Sequence, residues 1–262
     1  MEGTPRSFEH ILHMPSYVIN VATETDRLSR TVERLKAAGF TNIRRWDATD
    51  GFSDGIRDIL YKINKKDIRV DMVHNRGGIG CYLSHFTLWE HVRSLDLVHG
   101  VNIFEDDIVF HDQFQELAPV FYDQTPKDWD ILYMGCEVIK GVETLLNRTF
   151  CVGASKVVNT YPAYCLHAYN VSVKGMDKLI ATVLNASDMV IPIDDLITRV
   201  MICPAPCITW YCWDATTCDY RDPKSGNGKV GNYGLILQDS TLPSTIAIAA
   251  SSSIDFVPID HL

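Results

Sequence analysis

The sequence predicts an α/β fold with a mostly parallel twisted sheet flanked by helices. Three observations carry that expectation. Tyr17-Val18-Ile19-Asn20-Val21 is a short apolar, β-branched run of the kind that forms a buried strand. A helical repeat follows it, and a second strand-like run, Ile43 to Trp46, follows the helix; this β-α-β order builds parallel sheets through right-handed crossovers. Further on, the apolar run Val101-Asn102-Ile103-Phe104 passes directly into Glu105-Asp106-Asp107. In open α/β sheets, the carboxyl ends of strands are where ligands bind.

The elements justify themselves in order. After the first strand, Thr23 or Thr25 is placed to cap a helix. Leu28, Val32 and Leu35 then repeat at i, i+4 and i+7, and Gly39 supplies a stop. A polar stretch from Asp47 to Asp71 reads as a short helix with a surface excursion. Gly77-Gly78-Ile79-Gly80 is expected to precede the next helix, which carries Leu88, Val92 and Leu95 on one face. A helix over 112–124, a strand from Asp130 to Met134, a strand from Tyr164 to Val173 and a helix from Gly175 to Leu184 follow. Pro192-Ile193-Asp194-Asp195 opens a last helical segment. The expected organisation is one domain over residues 1–240 and a tail over 241–262. The tail is rich in Ser, Ala and Ile, and reads equally as an ordered strand, a docking arm or a loose end.

Composition narrows the function. With 33 acidic and 24 basic residues, the formal net charge of the 262-residue chain is -9. A phosphate-tracking nucleic-acid binder is normally basic, so nucleic acid is not the expected partner. No apolar run approaches the roughly 20 residues that span a bilayer. The first 15 residues contain Glu2, Glu9, His10, His13 and two prolines, which is no signal-peptide core. The expectation is a soluble protein, cytoplasmic unless a targeting segment lies outside this sequence. Eight cysteines are scattered without a C-x-x-C pair. They suit buried thiols or one or two disulfides better than a zinc module. Sequons at Asn147, Asn170 and Asn185 are of a kind that chance supplies often.

Four constellations carry candidate chemistry. Three adjacent carboxylates at Glu105, Asp106 and Asp107 repel one another unless a cation intervenes, and hard oxygen ligands suit Mn2+ or Mg2+. A solvated acidic turn is the bland alternative, and the position after a strand weighs against it. The glycines around Gly78, with Ser84 and His85, allow close approach of a ligand to backbone, though a structural glycine turn is the default. They match neither a P-loop nor a dinucleotide fingerprint. Asp194 and Asp195 either cap a helix or supply a general base. Asn20, Asp26 and Arg27, where a strand meets a helix, either hold a nucleotide or form a cap and a surface ion pair.

Taken in order, these stretches resemble glycosyltransferase family 25, which includes bacterial lipooligosaccharide glycosyltransferases and procollagen galactosyltransferases. The matching residues are Tyr17-Val18-Ile19-Asn20 with Asp26-Arg27, Asp47-Ala48-Thr49-Asp50-Gly51, and Gly78-Ile79-Gly80-Cys81-Tyr82-Leu83-Ser84-His85 with Trp89. They continue through Phe104-Glu105-Asp106-Asp107-Ile108, Trp129 to Gly135, Ala168 to Ser172 with Gly175, and Pro192-Ile193-Asp194-Asp195. The resemblance implies a GT-A-like α/β fold and a hexose moved from a UDP-sugar, galactose or glucose, to a hydroxyl acceptor on a glycan or protein, with Mn2+ or Mg2+ as cofactor. It places the metal on the acidic motif, with Asp107 as a direct ligand and Glu105, or else Asp106, as the second ligand or a ribose contact. The nucleotide-sugar falls to Asn20, Asp26, Arg27, Asp47, Gly78, Ser84, His85, Glu105 and Asp106. The family is similar to inverting transferases, whose single displacement needs a base; Asp194 matches that position and Asp195 is its neighbour. Beyond about residue 210 the likeness fades, which leaves a third metal ligand open among Asp214, Asp219, Asp222 and His261. Two other functions remain in view: a non-catalytic binding module on the same fold, and a metal-dependent phosphohydrolase.

Overall fold

The computed structural model describes residues 5, 7–139, 150–151, 154–156, 164–186, 188–202, 208–213, 230–239 and 256–262. The chain begins with α1 (Phe8–His13), β1 (Ser16–Asn20), α2 (Thr25–Ala37) and β2 (Ile43–Asp47). The polar stretch then contains α3 (Ile56–Lys62), β3 (Asp67–Arg69) and α4 (Val70–His74), and leads into the long α5 (Arg76–Arg93). Next come β4 (Val101–Glu105), β5 (Ile108–Phe110), α6 (Phe114–Gln124), β6 (Ile131–Ile139), β7 (Phe150–Cys151), β8 (Ala154–Lys156) and β9 (Tyr164–Val171). The remainder is α7 (Val173–Asn185), β10 (Met189–Val190), α8 (Ile193–Ile202), β11 (Trp210–Cys212), β12 (Val230–Gly234), β13 (Ile236–Gln238) and β14 (Phe256–Pro258).

The central sheet runs β2-β1-β4-β9-β6-β11 before turning into β8 and β7. Of those first six strands, five point the same way and β9 alone is reversed. Alternate residues of each strand feed opposite faces, as the pleat requires. Tyr17, Ile19, Ile103, Ile131, Tyr133, Tyr169 and Val171 join a core with α5, α7 and α8. Val18, Phe104, Leu132, Met134 and Ala168 join a second core with α1, α2 and α6. Burial on both faces explains why these strands read as continuous apolar runs. This mostly parallel sheet between helical layers is consistent with the GT-A-like architecture.

Several local expectations shift. Helix α2 starts after Glu24, whose side chain makes no capping bond, so neither Thr23 nor Thr25 is the cap. Its end is as expected: Gly39 follows it with φ +93°, a left-handed conformation that costs glycine little. The run Gly77 to Gly80 does not precede a helix but lies inside the first turns of α5. The cause is tertiary. A Cβ on Gly51 would sit 1.8 Å from the Arg76 carbonyl oxygen, and one on Gly80 would sit 2.6 Å from the Thr49 oxygen. The loop after β2 therefore rests backbone to backbone on α5, and this contact outweighs the poor helix propensity of glycine.

Two small sheets flank the main one, β10-β3-β14 and β13-β5. In the segment read as a tail, Val257 pairs with Ile68, and Ile259 is buried. Asn170, in one of the sequons, is fully buried and donates to Asn102, whose own amide donates to the Ile11 carbonyl and to Ser16. Among the described residues, Cys81, Cys136 and Cys165 carry reduced thiols. No helix of the described residues is long and apolar enough to cross a membrane.

Candidate functional site

The carboxyl edge of the parallel strands gathers the site. In register, Asn20 at the end of β1 pairs with Asp47 at the end of β2, and Ile19 pairs with Glu105 at the end of β4. Because β9 is reversed, its first residues arrive at this same edge, and the Cys165 N–H donates to Asp194 Oδ2 at 3.2 Å. Cys165 holds a left-handed backbone, φ +69°, to do so.

The three adjacent carboxylates separate at once. Glu105 turns toward α5, where His85 Nε2 lies 3.3 Å and Cys81 Sγ 3.8 Å from its Oε1. Gln238 of β13 donates to its other oxygen at 3.3 Å. Asp106 turns the other way, toward α2. It receives the Asn20 amide at 2.7 Å and the Arg27 guanidinium at 2.5 Å, while its backbone oxygen accepts from the Thr31 hydroxyl at 2.8 Å. Asp107 stays between, with Arg27 3.3 Å from Oδ2; its Oδ1 is buried without a hydrogen-bond partner.

Electrostatics follow this placement. Burial pushes the Asp107 carboxyl up to about 7, and the nearby charge of Glu105 adds to it against the pull of Arg27. Burial raises Glu105, but the hydrogen bond and charge of His85, with His167 and the Gln238 hydrogen bond, together outweigh it and leave Glu105 below its ordinary value. Asp106 is raised by burial, which exceeds the lowering by Asn20 and Arg27. A buried carboxylate oxygen with no donor, beside a second ionised carboxylate, is what a divalent cation satisfies. The residues present thus fit a hard metal ion held through Asp107 and Glu105.

Asp194 and Asp195 divide in the same manner. Asp194, in the first turn of α8, accepts the N–H groups of Cys165 and Asp195. Burial holds its pKa above the ordinary value against those two bonds, and Glu105 contributes to the rise. Asp195 is instead tied to Arg69 of β3 at 2.8 Å. Asp194 is the one of the two that shares the electrostatic field of Glu105 and Cys81.

The other expected residues fall at different distances from this centre. Arg45 links Asp47, 2.5 Å away, to the Asn20 side-chain oxygen, 3.0 Å away, so the ends of β1, β2 and β4 form one polar chain. Asp47 itself is 78% exposed at its side chain. Asp26 is exposed on the first turn of α2. Ser84 is buried; its hydroxyl donates to the Gly80 oxygen at 2.6 Å and accepts the Thr49 N–H at 2.8 Å, which clamps the loop to α5. Gly78 abuts Met72 rather than the carboxylates. Asp214, Asp219 and Asp222 lie outside the described residues, as does the side chain of His261. Cys81, Arg45, Tyr169 and Gln238 join the site without having been expected there. Cys81 alone had a legible signal, four residues before His85 on a helix.

Residues 13–197 match the profile described as "Glycosyltransferase family 25 (LPS biosynthesis protein)". A "Probable inactive glycosyltransferase 25 family member 3" from Rattus norvegicus is 30% identical over 195 residues, covering 69% of this chain and 32% of that protein. "Procollagen galactosyltransferase 2" from Homo sapiens is 27% identical over 195 residues, covering 69% and 29% respectively. "Procollagen galactosyltransferase 1-A" from Xenopus laevis is 32% identical over 136 residues, 47% of this chain and 20% of that one. The chain thus spans about a third or less of the length of these curated relatives. Their names include both transferases and members called inactive. With the family profile covering well over half of the chain, on a mostly parallel sheet between helical layers, this protein belongs to glycosyltransferase family 25.

Proposed function

We propose that this chain transfers a hexose from a UDP-sugar to a hydroxyl acceptor, with a divalent cation, Mn2+ or Mg2+, at the carboxyl end of β4, and with inversion. The observation that carries this is Asp107: a buried carboxylate oxygen with no partner, raised to about 7, beside an ionised Glu105. A chain that had lost catalysis would gain stability by discarding such a group. Its retention favours an active enzyme over the non-catalytic module.

Asp107 and Glu105 would hold the metal, which when bound offsets charge on the departing diphosphate. Asp106 is already engaged by Arg27 and Asn20, so its part is to fix Arg27 beside Asp107. Arg27 thereby presents a fixed positive charge at the edge where a diphosphate approaches. Asp194 is the base: burial raises its pKa above the ordinary carboxylate value and so strengthens it as a proton acceptor, and the Cys165 and Asp195 N–H groups orient its carboxylate. Asp195, neutralised by Arg69, is the weaker candidate.

Calorimetric titration of UDP into the protein tests this, first with Mn2+ and then with EDTA. Metal-dependent binding supports the donor site. Equal binding in both conditions, or none, overturns it. UDP release that requires a hydroxyl acceptor then separates a transferase from a phosphohydrolase.

A further inference from the structure

The donor edge contains a second set of ligand atoms of a different character. Cys81 and His85 lie four residues apart on α5 and so share one face of that helix. Glu105 reaches them from the end of β4. The Cys81 sulfur, a ring nitrogen of His85 and a carboxylate oxygen of Glu105 all lie within 4.8 Å of one another. Sulfur, imidazole and carboxylate together are a donor set for Zn2+ or Co2+, not for Mn2+ or Mg2+, which prefer oxygen throughout.

A separate observation concerns the far side of the imidazole. Metal-bound histidines characteristically give their other ring nitrogen to a fixed partner. His85 Nδ1 lies 2.9 Å from the Tyr169 hydroxyl, and the same hydroxyl receives the Trp89 indole N–H at 2.9 Å. Tyr169 and Trp89 are fully buried, so this support is rigid. With a metal bound and Tyr169 accepting from both groups, Nδ1 carries a proton, and Nε2 releases to solvent any proton it shares with Glu105 and presents its lone pair beside Glu105 and Cys81. Glu105 retains 19% exposure at its side chain, so the cluster is not sealed from solvent.

We infer that Cys81, His85 and Glu105 form a thiolate-containing site for Zn2+ that shares Glu105 with the donor metal. On binding, the Cys81 S–H bond breaks, its proton leaves to solvent, and the sulfur lone pair forms the bond to the metal; no electron is transferred. Because Glu105 serves one cation at a time, Zn2+ displaces the donor's metal and so suppresses UDP binding. This last consequence rests on the function proposed above; the site itself does not.

The test uses the full chain stripped with EDTA and titrated with Co2+, which reports sulfur ligation by a near-ultraviolet charge-transfer band. A saturable band that Zn2+ abolishes is expected. Cys81→Ser is expected to remove the band, and Zn2+ suppression of UDP binding is read in that variant against its own Mn2+-dependent UDP affinity. Tyr169→Phe is expected to weaken Co2+ binding by about 10–100-fold. No band in the wild-type chain overturns the site, as does a band that survives Cys81→Ser. Zn2+ suppression of UDP binding in the wild type that disappears in Cys81→Ser supports the shared carboxylate, and equal suppression in both overturns it. Loss of Mn2+-dependent UDP binding in the wild type would instead strike the proposed function and leave the Co2+ band to be judged by itself.

Discussion

Arg27 Nη2 lies 2.5 Å from one Asp106 oxygen and 3.3 Å from one Asp107 oxygen, so a single guanidinium spans the two carboxylates. The Arg27 and Asp106 side chains are only 8% and 10% exposed. Removing one member of such a buried pair leaves an uncompensated charge, at a cost of about 3–5 kcal/mol. Arg27→Ala should therefore destabilise the fold by that order, measured by denaturant unfolding, in addition to weakening UDP binding. A variant of unchanged stability would mean that Asp106 is neutral in the folded protein.

The raised Asp107 carboxyl sets a pH dependence. Between its unfolded pKa of about 4 and its folded value of about 7, the folded state binds more protons than the unfolded state. Stability must then fall as pH rises through that window. Without metal, the melting temperature should decline from pH 4 toward 7 by more in the wild type than in Asp107→Asn. Added Mn2+ should restore it at pH 7 in the wild type alone. Parallel pH profiles for the two proteins would refute the raised Asp107 carboxyl, and equal Mn2+ shifts would remove Asp107 from the metal site.

Asp194→Asn keeps size and burial but abolishes basicity. It should retain metal-dependent UDP affinity while acceptor-dependent UDP release falls by about 100-fold or more, the usual worth of a general base. Asp195→Asn should have a smaller effect on turnover and a larger one on stability, since it abandons Arg69. The reverse order of the two variants would exchange their roles.

Gly51→Ala places a methyl group 1.8 Å from the Arg76 carbonyl oxygen, a contact that backbone cannot accommodate without moving. The loop after β2 must lift from α5 and release the Thr49–Ser84 bond. A loss of about 1–3 kcal/mol is expected by thermal unfolding. Gly55→Ala, which meets nothing within 4 Å, is the matched control.

The main strands β1, β2, β4, β6 and β9 and the helices α2 and α5 to α8 were legible because both kinds of element leave a periodic trace: runs buried on both faces for β1, β4 and β6, and a 3.6-residue repeat for α2; α1 and the short strands left none. Strand direction leaves no such trace. The reversal of β9 comes from its pairing with β4 and β6, which no local pattern records. The glycines of α5 misled for a related reason, since the contact that makes them necessary comes from Gly51, 29 residues before Gly80. At the site, the acidic triplet was visible, and a period of two predicts that neighbours diverge, as Glu105 and Asp106 do. Gln238 was not visible, because it reaches Glu105 only through the β5–β13 pairing of residues far apart in sequence.

The left-handed turn at Cys165 separates two roles that usually travel together. The part that meets Asp194 is the peptide N–H, and its aim is set by a backbone angle rather than by the thiol. A non-glycine residue in that conformation holds of order 1 kcal/mol of local strain. Glycine at 165 would keep the bond to Asp194 at lower conformational cost, whereas a β-branched residue would be forced out of the turn and would withdraw the N–H. Drift at this position is thus easiest toward glycine and hardest toward β-branched residues.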